Sequence, residues 1–191
     1  MIAGVDEVGR GCIAGPVVAA AVILQAKIEG IKDSKKLSEK KRNELSELIK
    51  NHSIYSFGLS SNDEIDEFNI QNATFLAMQR AVKNLSVQPK KILVDGNQVF
   101  ETNLPIEAIV GGDNLITSIS AASIIAKVYR DKIMQDLAAK FPHYSFEKHK
   151  GYPTKQHYEA IKHYGICEFH RKSFKGVLRG CLLYTSPSPR D

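Results

Sequence analysis

The stretch that decides the fold is Ile2-Ala3-Gly4-Val5-Asp6-Glu7-Val8-Gly9-Arg10-Gly11, and a continuous apolar run follows it at residues 16–24. The first part is short and apolar with an acidic pair near its end, and it predicts a strand over residues 2–8. The Val/Ala/Ile run predicts a second strand that is covered on both faces. Glycines between the two runs permit a tight link. The chain is therefore predicted to open with two strands joined by a glycine-rich turn.

Beyond this opening, strand and helix patterns alternate along the chain. Further strands are predicted at residues 54–59, 91–94 and 106–110. Helices are predicted after an N-cap at Ser38, over residues 69–84 behind a short turn capped by Asn62, over residues 116–140 and over residues 154–164. This order is typical of an α/β fold or a mixed sheet with helices packed on it.

Length and composition favour one globular domain. The 191 residues are 43% hydrophobic and 25% charged, as in ordinary globular proteins. We expect one domain over residues 1–180, and we expect the low-complexity ending at residues 181–191 to be disordered and not part of the native structure. The sequence has no apolar run of about 18 residues, so no membrane span is expected. The chain does not open with a signal-peptide pattern, and the expected location is the cytoplasm.

Three cysteines, Cys12, Cys167 and Cys181, are widely spaced. Their odd number argues against a disulfide framework, and the absence of a Cys-x-x-Cys pair argues against a structural zinc site. We expect isolated reduced thiols.

A basic segment covers residues 140–179. It contains nine Lys/Arg residues against three Asp/Glu residues, whereas the net charge of the whole chain is +5. Such a segment indicates an anionic polymer as partner, with a solvated charged surface as the alternative. Tyr152 in this segment is interpreted as a stacking platform for a sugar or base, or as a partly buried surface aromatic. Its histidines lack metal-ligand spacing, and we interpret them as surface or phosphate-facing groups.

Carboxylates follow three short apolar strands, at Asp6-Glu7, at Asp95 and at Asp113. If these strands lie side by side, the carboxylates converge, and their mutual repulsion is removed by divalent cations. Oxygen ligands favour hard ions such as Mg²⁺ or Mn²⁺, and two such ions can clamp a phosphodiester during cleavage. The alternative is that each acid caps a helix or forms an ordinary salt bridge. Asp113 with Asn114 is a candidate cap for the long helix.

The loop Gly9-Arg10-Gly11 directly follows the acidic pair. Glycines let a backbone approach a ligand closely, and backbone groups can recognise a 2′-hydroxyl. Arg10 adds a planar fork suited to phosphate, and a simple tight turn is the alternative. In a regular strand Glu7 points to the face opposite Asp6, so we expect Glu7 to join the site only if the backbone bends at Val8-Gly9.

Together these segments resemble ribonuclease HII, the bacterial type 2 ribonuclease H, over about residues 2–179. The similarity is carried, in the order of the family, by Gly4-Val5-Asp6-Glu7-Val8-Gly9-Arg10-Gly11, Asp33-Ser34-Lys35-Lys36-Leu37-Ser38, Val94-Asp95-Gly96-Asn97, Ser120-Ala121-Ala122-Ser123-Ile124-Ile125-Ala126-Lys127-Val128, His149-Lys150-Gly151-Tyr152-Pro153-Thr154 and Arg171-Lys172-Ser173-Phe174.

The resemblance implies a ribonuclease H-like fold: a five-stranded mixed sheet flanked by helices, with a helical C-terminal extension. It implies an endonuclease that hydrolyses the RNA strand of RNA–DNA hybrids. It also implies cleavage 5′ of single ribonucleotides in duplex DNA, as in ribonucleotide excision repair, with 3′-hydroxyl and 5′-phosphate ends. The implied partners are RNA–DNA hybrids and DNA containing ribonucleotides. The implied oligomeric state is a monomer, and no membrane partner is implied.

The resemblance also implies roles for individual residues. Two Mg²⁺ or Mn²⁺ ions are expected at the metal-binding acids Asp6, Glu7, Asp95 and Asp113. The substrate-binding residues are expected to be Gly9, Arg10 and Gly11 for the 2′-hydroxyl, Tyr152 for stacking, and Lys35 and Lys36 for backbone phosphates.

Two alternatives stay open. One is another enzyme of the same fold, such as a DNA resolvase or a ribonuclease HIII. A ribonuclease HIII is expected to carry an extra N-terminal substrate-binding domain and to lack Gly-Arg-Gly, whereas here the catalytic strand begins at residue 2. The other is a non-catalytic nucleic-acid-binding module, which predicts salt-sensitive binding indifferent to Mg²⁺ and to a 2′-hydroxyl. The clustered acids argue against such a module, because without metal they repel phosphate.

Overall fold

A computed structural model of the protein describes residues 1–31 and 37–178, and one five-stranded sheet lies at its centre. The strands are β1 (Ile2–Val8), β2 (Val17–Leu24), β3 (Ser53–Ser60), β4 (Lys91–Asp95) and β5 (Ile106–Ile109), in the order β3-β2-β1-β4-β5. Strands β1, β2 and β3 are antiparallel neighbours, whereas β4 runs parallel to β1 and β5 parallel to β4. The predicted five-stranded mixed sheet is therefore confirmed.

Helices cover both faces of this sheet. They are α1 (Glu39–Asn51), α2 (Asn62–Lys83), α3 (Gly112–Leu115), α4 (Thr117–Lys140), α5 (Phe146–His149) and α6 (Lys155–Tyr164), with a 3-10 turn at Pro142–Tyr144. Val17 and Ala19 of β2 enter a core with α2, and Val18 and Ala20 enter a core with α1 and α4. Side chains alternate across a strand, so the apolar run of β2 serves both cores, as the sequence predicted.

Two glycines permit the closest approaches between helices and the sheet. A Cβ on Gly4 would lie 2.2 Å from the carbonyl carbon of Ser118, at the start of α4. A Cβ on Gly58 would lie 2.1 Å from the carbonyl oxygen of Ala77 in α2. The beginning of α4 is thereby held directly against β1, the strand that carries Asp6.

The C-terminal part of the chain forms a third core around the end of α4. Met134 of α4 packs there with Tyr144, Phe146 and Ile161. The predicted helical C-terminal extension is confirmed for the described residues.

The structure corrects two of the predicted helix starts. Ser38 caps α1 as predicted, with its hydroxyl accepting from the N–H of Lys41 at 3.3 Å. Ser61, not Asn62, caps α2, because its hydroxyl accepts from the N–H of Glu64 at 3.1 Å in a capping box. The residue that precedes α4 is Ile116, without a side-chain cap, so the prediction that Asp113 with Asn114 caps the long helix was wrong.

Helix α2 contains a kink at the residue where we predicted a helix to begin. Asn69 has φ = 67° and ψ = 165° within the helix. Its Oδ1 accepts from the N–H groups of Gln71 and Asn72 at 2.9 and 3.0 Å. Asn69 therefore acts as the N-cap of a second helical segment that continues directly from the first.

Some expectations lie outside the described residues. Lys35 and Lys36 belong to the undescribed residues 32–36, and the predicted tail and Cys181 belong to residues 179–191. Cys12 and Cys167 are free thiols, as expected. In the part of the chain that the structure describes, none of the helices is both long enough and apolar enough to cross a membrane.

Candidate active site

The four predicted carboxylates line one cleft at the end of the sheet. Asp6 directly follows the last residue of β1 that pairs with β4, and Asp95 is the final residue of β4. Asp113 follows β5 and lies in the short helix α3. With Glu7 they line a cleft of about 380 Å³. Carboxyl ends of parallel strands thus bring these side chains together, as strand order predicted.

The electrostatics of the cleft disfavour ionised acids. Asp6 is buried, and this burial raises its pKa well above the ordinary value. The negative charges of Glu7 and Asp95 raise the pKa of Asp6 further, while a hydrogen bond from Ser123 opposes the rise. Burial also raises the pKa of Glu7, against the opposing charge of Arg10. A cation in the cleft would relieve both effects.

Hydrogen bonds orient the acids. The N–H of Glu7 donates to Oδ1 of Asp6 at 2.8 Å, and the N–H of Asp113 donates to Oδ1 of Asp95 at 3.2 Å. The hydroxyl of Ser120 in α4 donates to the backbone carbonyl of Asp113. The start of α4 therefore holds the segment after β5 at the cleft.

The donor set of the cleft fits hard divalent ions. Among the described residues its lining offers carboxylate oxygens and no histidine or cysteine. Within residues 1–31 and 37–178, no three acidic, histidine or cysteine side chains lie close enough together to enclose one ion. Carboxylate donors suit Mg²⁺ or Mn²⁺, because Mg²⁺ typically keeps water ligands and uses substrate phosphate oxygens beside one or two carboxylates. They do not suit a closed structural zinc site.

Glu7 reaches the cleft by a route that we did not predict. We expected a bend at Val8-Gly9, but β1 stays paired with β2 through Val8. Glu7 lines the cleft with Asp6 and also lines a second hollow of about 170 Å³ that contains Arg10. β1 extends beyond Val5, its last residue paired with β4. At Glu7 the edge of β1 on the side of β4 is therefore open. The chain does turn at Gly9, which has φ = +96°, but Glu7 lies before that turn and lines the cleft from within β1.

The glycine loop at residues 9–11 turns away from the sheet directly after β1. Gly9 has φ = +96°, and a Cβ there would lie 2.2 Å from Nε of Arg130. The side chain of Arg10 donates to Oε1 of Gln71 in α2 at 2.7 Å. A Cβ on Gly11 would meet nothing within 4 Å among the described residues, so that side of the loop is open.

Tyr152 lies at the same cleft as the acids. It is 40% exposed, and among the described residues that line the cleft it is the one aromatic. Its N–H donates to the carbonyl of His149 at 2.9 Å, and its own carbonyl lies 2.9 Å from Nδ1 of His157. Tyr152 is therefore a partly buried aromatic whose exposed part is available to a ligand in the cleft.

Three histidines of the basic segment are buried, so the prediction that they face the surface or phosphate was wrong for them. His149, His157 and His170 are at most 8% exposed. Nε2 of His157 and Nε2 of His170 lie 3.0 Å apart. Burial lowers the pKa of His157 to about 3 and that of His170 to about 4, so both rings are neutral. His157 lies on α6 at helical spacing with the buried Ala160 and Ile161, so periodicity could have indicated its burial, whereas His149 and His170 lie outside long regular elements.

Sequence reasoning gave no role to three polar residues of the cleft, Arg42, Ser123 and Lys127. A signal was present for two of them. Ser120, Ser123 and Lys127 are spaced three and four residues apart, and the other α4 residues between them are apolar. Polar residues at this spacing form one stripe on an otherwise buried helix, and here that stripe faces the acids.

Comparisons with known proteins agree on one family. A family model described as Ribonuclease HII matches residues 3–177. The Ribonuclease HII of Shewanella piezotolerans is 56% identical over 178 residues, which cover 92% of this chain and 88% of the relative. The crystal structure of the ribonuclease H2 from Pyrococcus horikoshii OT3 matches with a TM-score of 0.80 and 29% identity, covering 94% of this chain and 96% of that chain. The structure of Bst-RNase HIII in complex with Mn²⁺ matches with a TM-score of 0.70 and 17% identity, covering 96% and 70%, and shares the fold.

Proposed function

The chain belongs to the ribonuclease HII family, whose members are endoribonucleases with the ribonuclease H-like fold, and on that premise we propose that it hydrolyses the RNA strand of RNA–DNA hybrids. We propose further that it cuts 5′ of single ribonucleotides embedded in duplex DNA. The products carry 3′-hydroxyl and 5′-phosphate ends.

One observation carries this proposal: a cleft of carboxylates adjoins two features suited to a ribonucleotide. Asp6, Asp95 and Asp113 line the cleft, Tyr152 lines it as well, and the glycine loop begins three residues after Asp6. A phosphodiester held at the acids therefore has its sugar within reach of groups that recognise ribose.

The acids Asp6, Glu7, Asp95 and Asp113 would hold two Mg²⁺ or Mn²⁺ ions. When bound, such ions supply activation of the attacking water and stabilisation of the leaving 3′-oxygen. The protein contributes oriented ligands: the N–H of Glu7 holds the carboxylate of Asp6, and the N–H of Asp113 holds that of Asp95.

The glycine loop and Tyr152 select the ribose. The N–H groups of Arg10 and Gly11 have no hydrogen-bond partner within residues 1–31 and 37–178, and a 2′-hydroxyl oxygen can accept from such groups. Tyr152 stacks at the junction of the ribonucleotide. Lys35 and Lys36 hold backbone phosphates, and the basic segment attracts the duplex.

We propose that this activity resides in a single domain over residues 1–180 that acts as a monomer. Ile133 packs against both the second and the third core, and Phe174 packs against both the first and the third. Side chains shared in this way support a C-terminal part that folds together with the sheet.

Three duplexes of identical sequence test the function: a full RNA–DNA hybrid, DNA with one ribonucleotide, and DNA alone. With Mg²⁺ we expect cleavage of the first two, with the cut 5′ of the single ribonucleotide, and no cleavage of the third. The ends are mapped by gel mobility before and after phosphatase treatment. Cleavage of DNA alone would indicate a resolvase-type enzyme. Salt-sensitive binding without any cleavage would indicate a non-catalytic module.

A further inference from the structure

Two completely buried arginines lie beneath the glycine loop. Arg130 and Arg171 are both 0% exposed. Within residues 1–31 and 37–178 neither forms an ion pair, and every side-chain hydrogen bond that they donate goes to a backbone carbonyl. Burying a charge is costly unless its donors are satisfied, so two such arginines at one loop indicate a specific task.

Arg171 binds two carbonyls of the glycine loop and one that lies just beyond it. Its Nη2 donates to the carbonyl of Gly9 at 2.7 Å, and its Nη1 donates to the carbonyl of Arg10 at 2.9 Å. Its Nε and Nη2 donate to the carbonyl of Gly15 at 3.0 and 2.9 Å. The guanidinium carbon lies 5.1 Å from the centre of the Phe174 ring, which packs against it. One planar group therefore fixes the direction of three peptide carbonyls.

The direction of these carbonyls decides where the loop N–H groups point. In a trans peptide the C=O and the following N–H lie on opposite sides. Because the carbonyls of Gly9 and Arg10 face the buried Arg171, the N–H groups of Arg10 and Gly11 face away from it. The Gly9 carbonyl also accepts from the N–H of Cys12 at 3.3 Å, so its acceptor positions are used inside the protein. The outward side of the loop offers donors.

We propose that Arg171 is a positioning residue for ribose recognition, which presents the N–H groups of Arg10 and Gly11 to the 2′-hydroxyl of the substrate. The inference rests on the proposed function, because it explains how the loop of that site is oriented. Arg171 itself does not touch the substrate. A lysine keeps the charge but has no planar fork, so it cannot hold the carbonyls of Gly9 and Arg10 in the same way.

Arg130 has a different set of partners. It donates to the carbonyls of Pro16, Ala14 and Lys150 at 2.9, 3.1 and 2.8 Å. It therefore ties the segment before Tyr152 to the start of β2 and leaves the carbonyls of Gly9 and Arg10 to Arg171. The assignment to Arg171 is specific for that reason.

The test compares Arg171→Lys with Val177→Ala. Val177 is fully buried in the third core, so its truncation destabilises the same part of the protein without altering a hydrogen bond of the loop. Binding is measured by fluorescence anisotropy in EDTA, with a DNA duplex that carries one ribonucleotide and with the same duplex made of DNA alone. The readout is the ratio of the two Kd values.

We expect Arg171→Lys to lower the preference for the ribonucleotide about fivefold, the effect of one lost hydrogen bond. Its affinity for DNA alone is expected to match the wild type. Val177→Ala is expected to keep the wild-type preference while its Tm falls. An unchanged preference in Arg171→Lys would overturn the inference, and so would an equal loss of affinity for both duplexes, which indicates a merely structural role.

A second measurement on the wild-type protein holds even if Arg171→Lys does not fold. Amide hydrogen exchange at Arg10 and Gly11 is expected to slow when the ribonucleotide duplex is added and not when DNA alone is added. Absence of that protection overturns the inference. If the wild type cleaves and prefers the ribonucleotide while Arg171→Lys behaves identically, only the inference fails. If the wild type shows neither cleavage nor preference nor protection, the proposed function fails with it.

Discussion

At the scale of single residues, the buried acids of the cleft lower the stability of the fold when they are ionised. Asp6 is 5% exposed, and its burial and the charge of Glu7 both raise its pKa. A group whose pKa is raised on folding makes the protein less stable as pH rises, because the unfolded chain loses the proton first. The acids that suit a metal site therefore oppose folding at neutral pH in the absence of metal.

Asp6→Asn is accordingly expected to raise the free energy of unfolding by about 1 kcal/mol at pH 8 in EDTA. The amide keeps the size of the carboxylate without its charge. The gain is expected to shrink as pH falls toward and below about 4, because the unfolded chain then also takes up the proton of Asp6. Asp136→Asn, at an exposed residue paired with Lys132, is the control and should gain nothing. Urea denaturation measures both variants, and a loss of stability in Asp6→Asn at pH 8 would contradict this account.

The buried histidines act in the opposite direction on pH. The pKa of His157 is lowered to about 3 and that of His170 to about 4. The contribution of the two neutral rings to folding stability is complete above about pH 6.5. It is lost as pH falls toward the lowered pKa values of about 3 and 4, because in that range only the unfolded chain takes up protons. At pH 5 each of the two rings is expected to lower the free energy of unfolding by about 2 kcal/mol relative to pH 8. In urea denaturation at both pH values, His170→Gln should reduce this difference, whereas the exposed His163→Gln should leave it unchanged.

At the scale of elements, strands were predicted correctly where a short apolar run has clear ends. β1 spans Ile2–Val8 as predicted, and β2 spans Val17–Leu24, one residue shorter than predicted. β1 ends before Gly9, and β2 lies between Pro16 and Gln25, so the ends of both apolar runs can be read from the sequence. The continuity of α2 through Asn69 was not predictable, because a helix that resumes across a residue with positive φ depends on the packing of both segments.

Asn69→Ala is expected to lower the free energy of unfolding by about 2 kcal/mol. The substitution removes the N-cap to Gln71 and Asn72 and places a non-glycine side chain without local hydrogen bonds at φ = 67°. Asn69→Gly removes the same cap but relieves the backbone, so it should cost much less. Urea denaturation distinguishes the two, and equal losses would show that the backbone conformation carries no cost.

Element order also predicted that three of the acids converge at one cleft. Asp6, Asp95 and Asp113 lie at or just beyond the carboxyl ends of the parallel-paired segments of β1, β4 and β5, and such ends meet at one edge of a sheet. The route of Glu7 was not predictable, because it depends on where β4 stops beside β1. Ser123 and Lys127 were predictable in principle from the polar stripe on α4, whose approach to β1 depends on Gly4.

At the scale of the whole molecule, the basic segment combines an exposed positive charge with a buried arginine that supports the glycine loop. Its net charge predicted an anionic partner, but Arg171 in this segment is buried and supports the loop at Gly9. A contact between residues so far apart in sequence leaves no local pattern, so the charge count of the segment could not indicate that Arg171 is buried. The exposed lysines of the segment, together with Arg42 and Lys127 of the cleft, are available for the proposed contact with a duplex.

Lys127→Gln is expected to weaken binding of a DNA duplex with and without a ribonucleotide by the same factor. Loss of one phosphate contact should reduce the slope of log Kd against log salt by about one. Lys132→Gln is the matched control: both lysines lie on α4 and pair with an aspartate four residues later at 2.5 Å, but only Lys127 lines the cleft. Equal salt slopes for the two variants would contradict the placement of the duplex at this cleft.

The most direct test of the whole account is single-turnover cleavage of a DNA duplex with one ribonucleotide in Mg²⁺, by the wild type and by Asp6→Asn. The wild type is expected to cut 5′ of the ribonucleotide. Asp6→Asn is expected to lose about a thousandfold or more in rate, because it would lack a ligand for the proposed ions, which would activate water and stabilise the leaving oxygen, while it should still bind the duplex in EDTA. Full activity of Asp6→Asn in Mg²⁺ would contradict the assignment of this cleft as the active site.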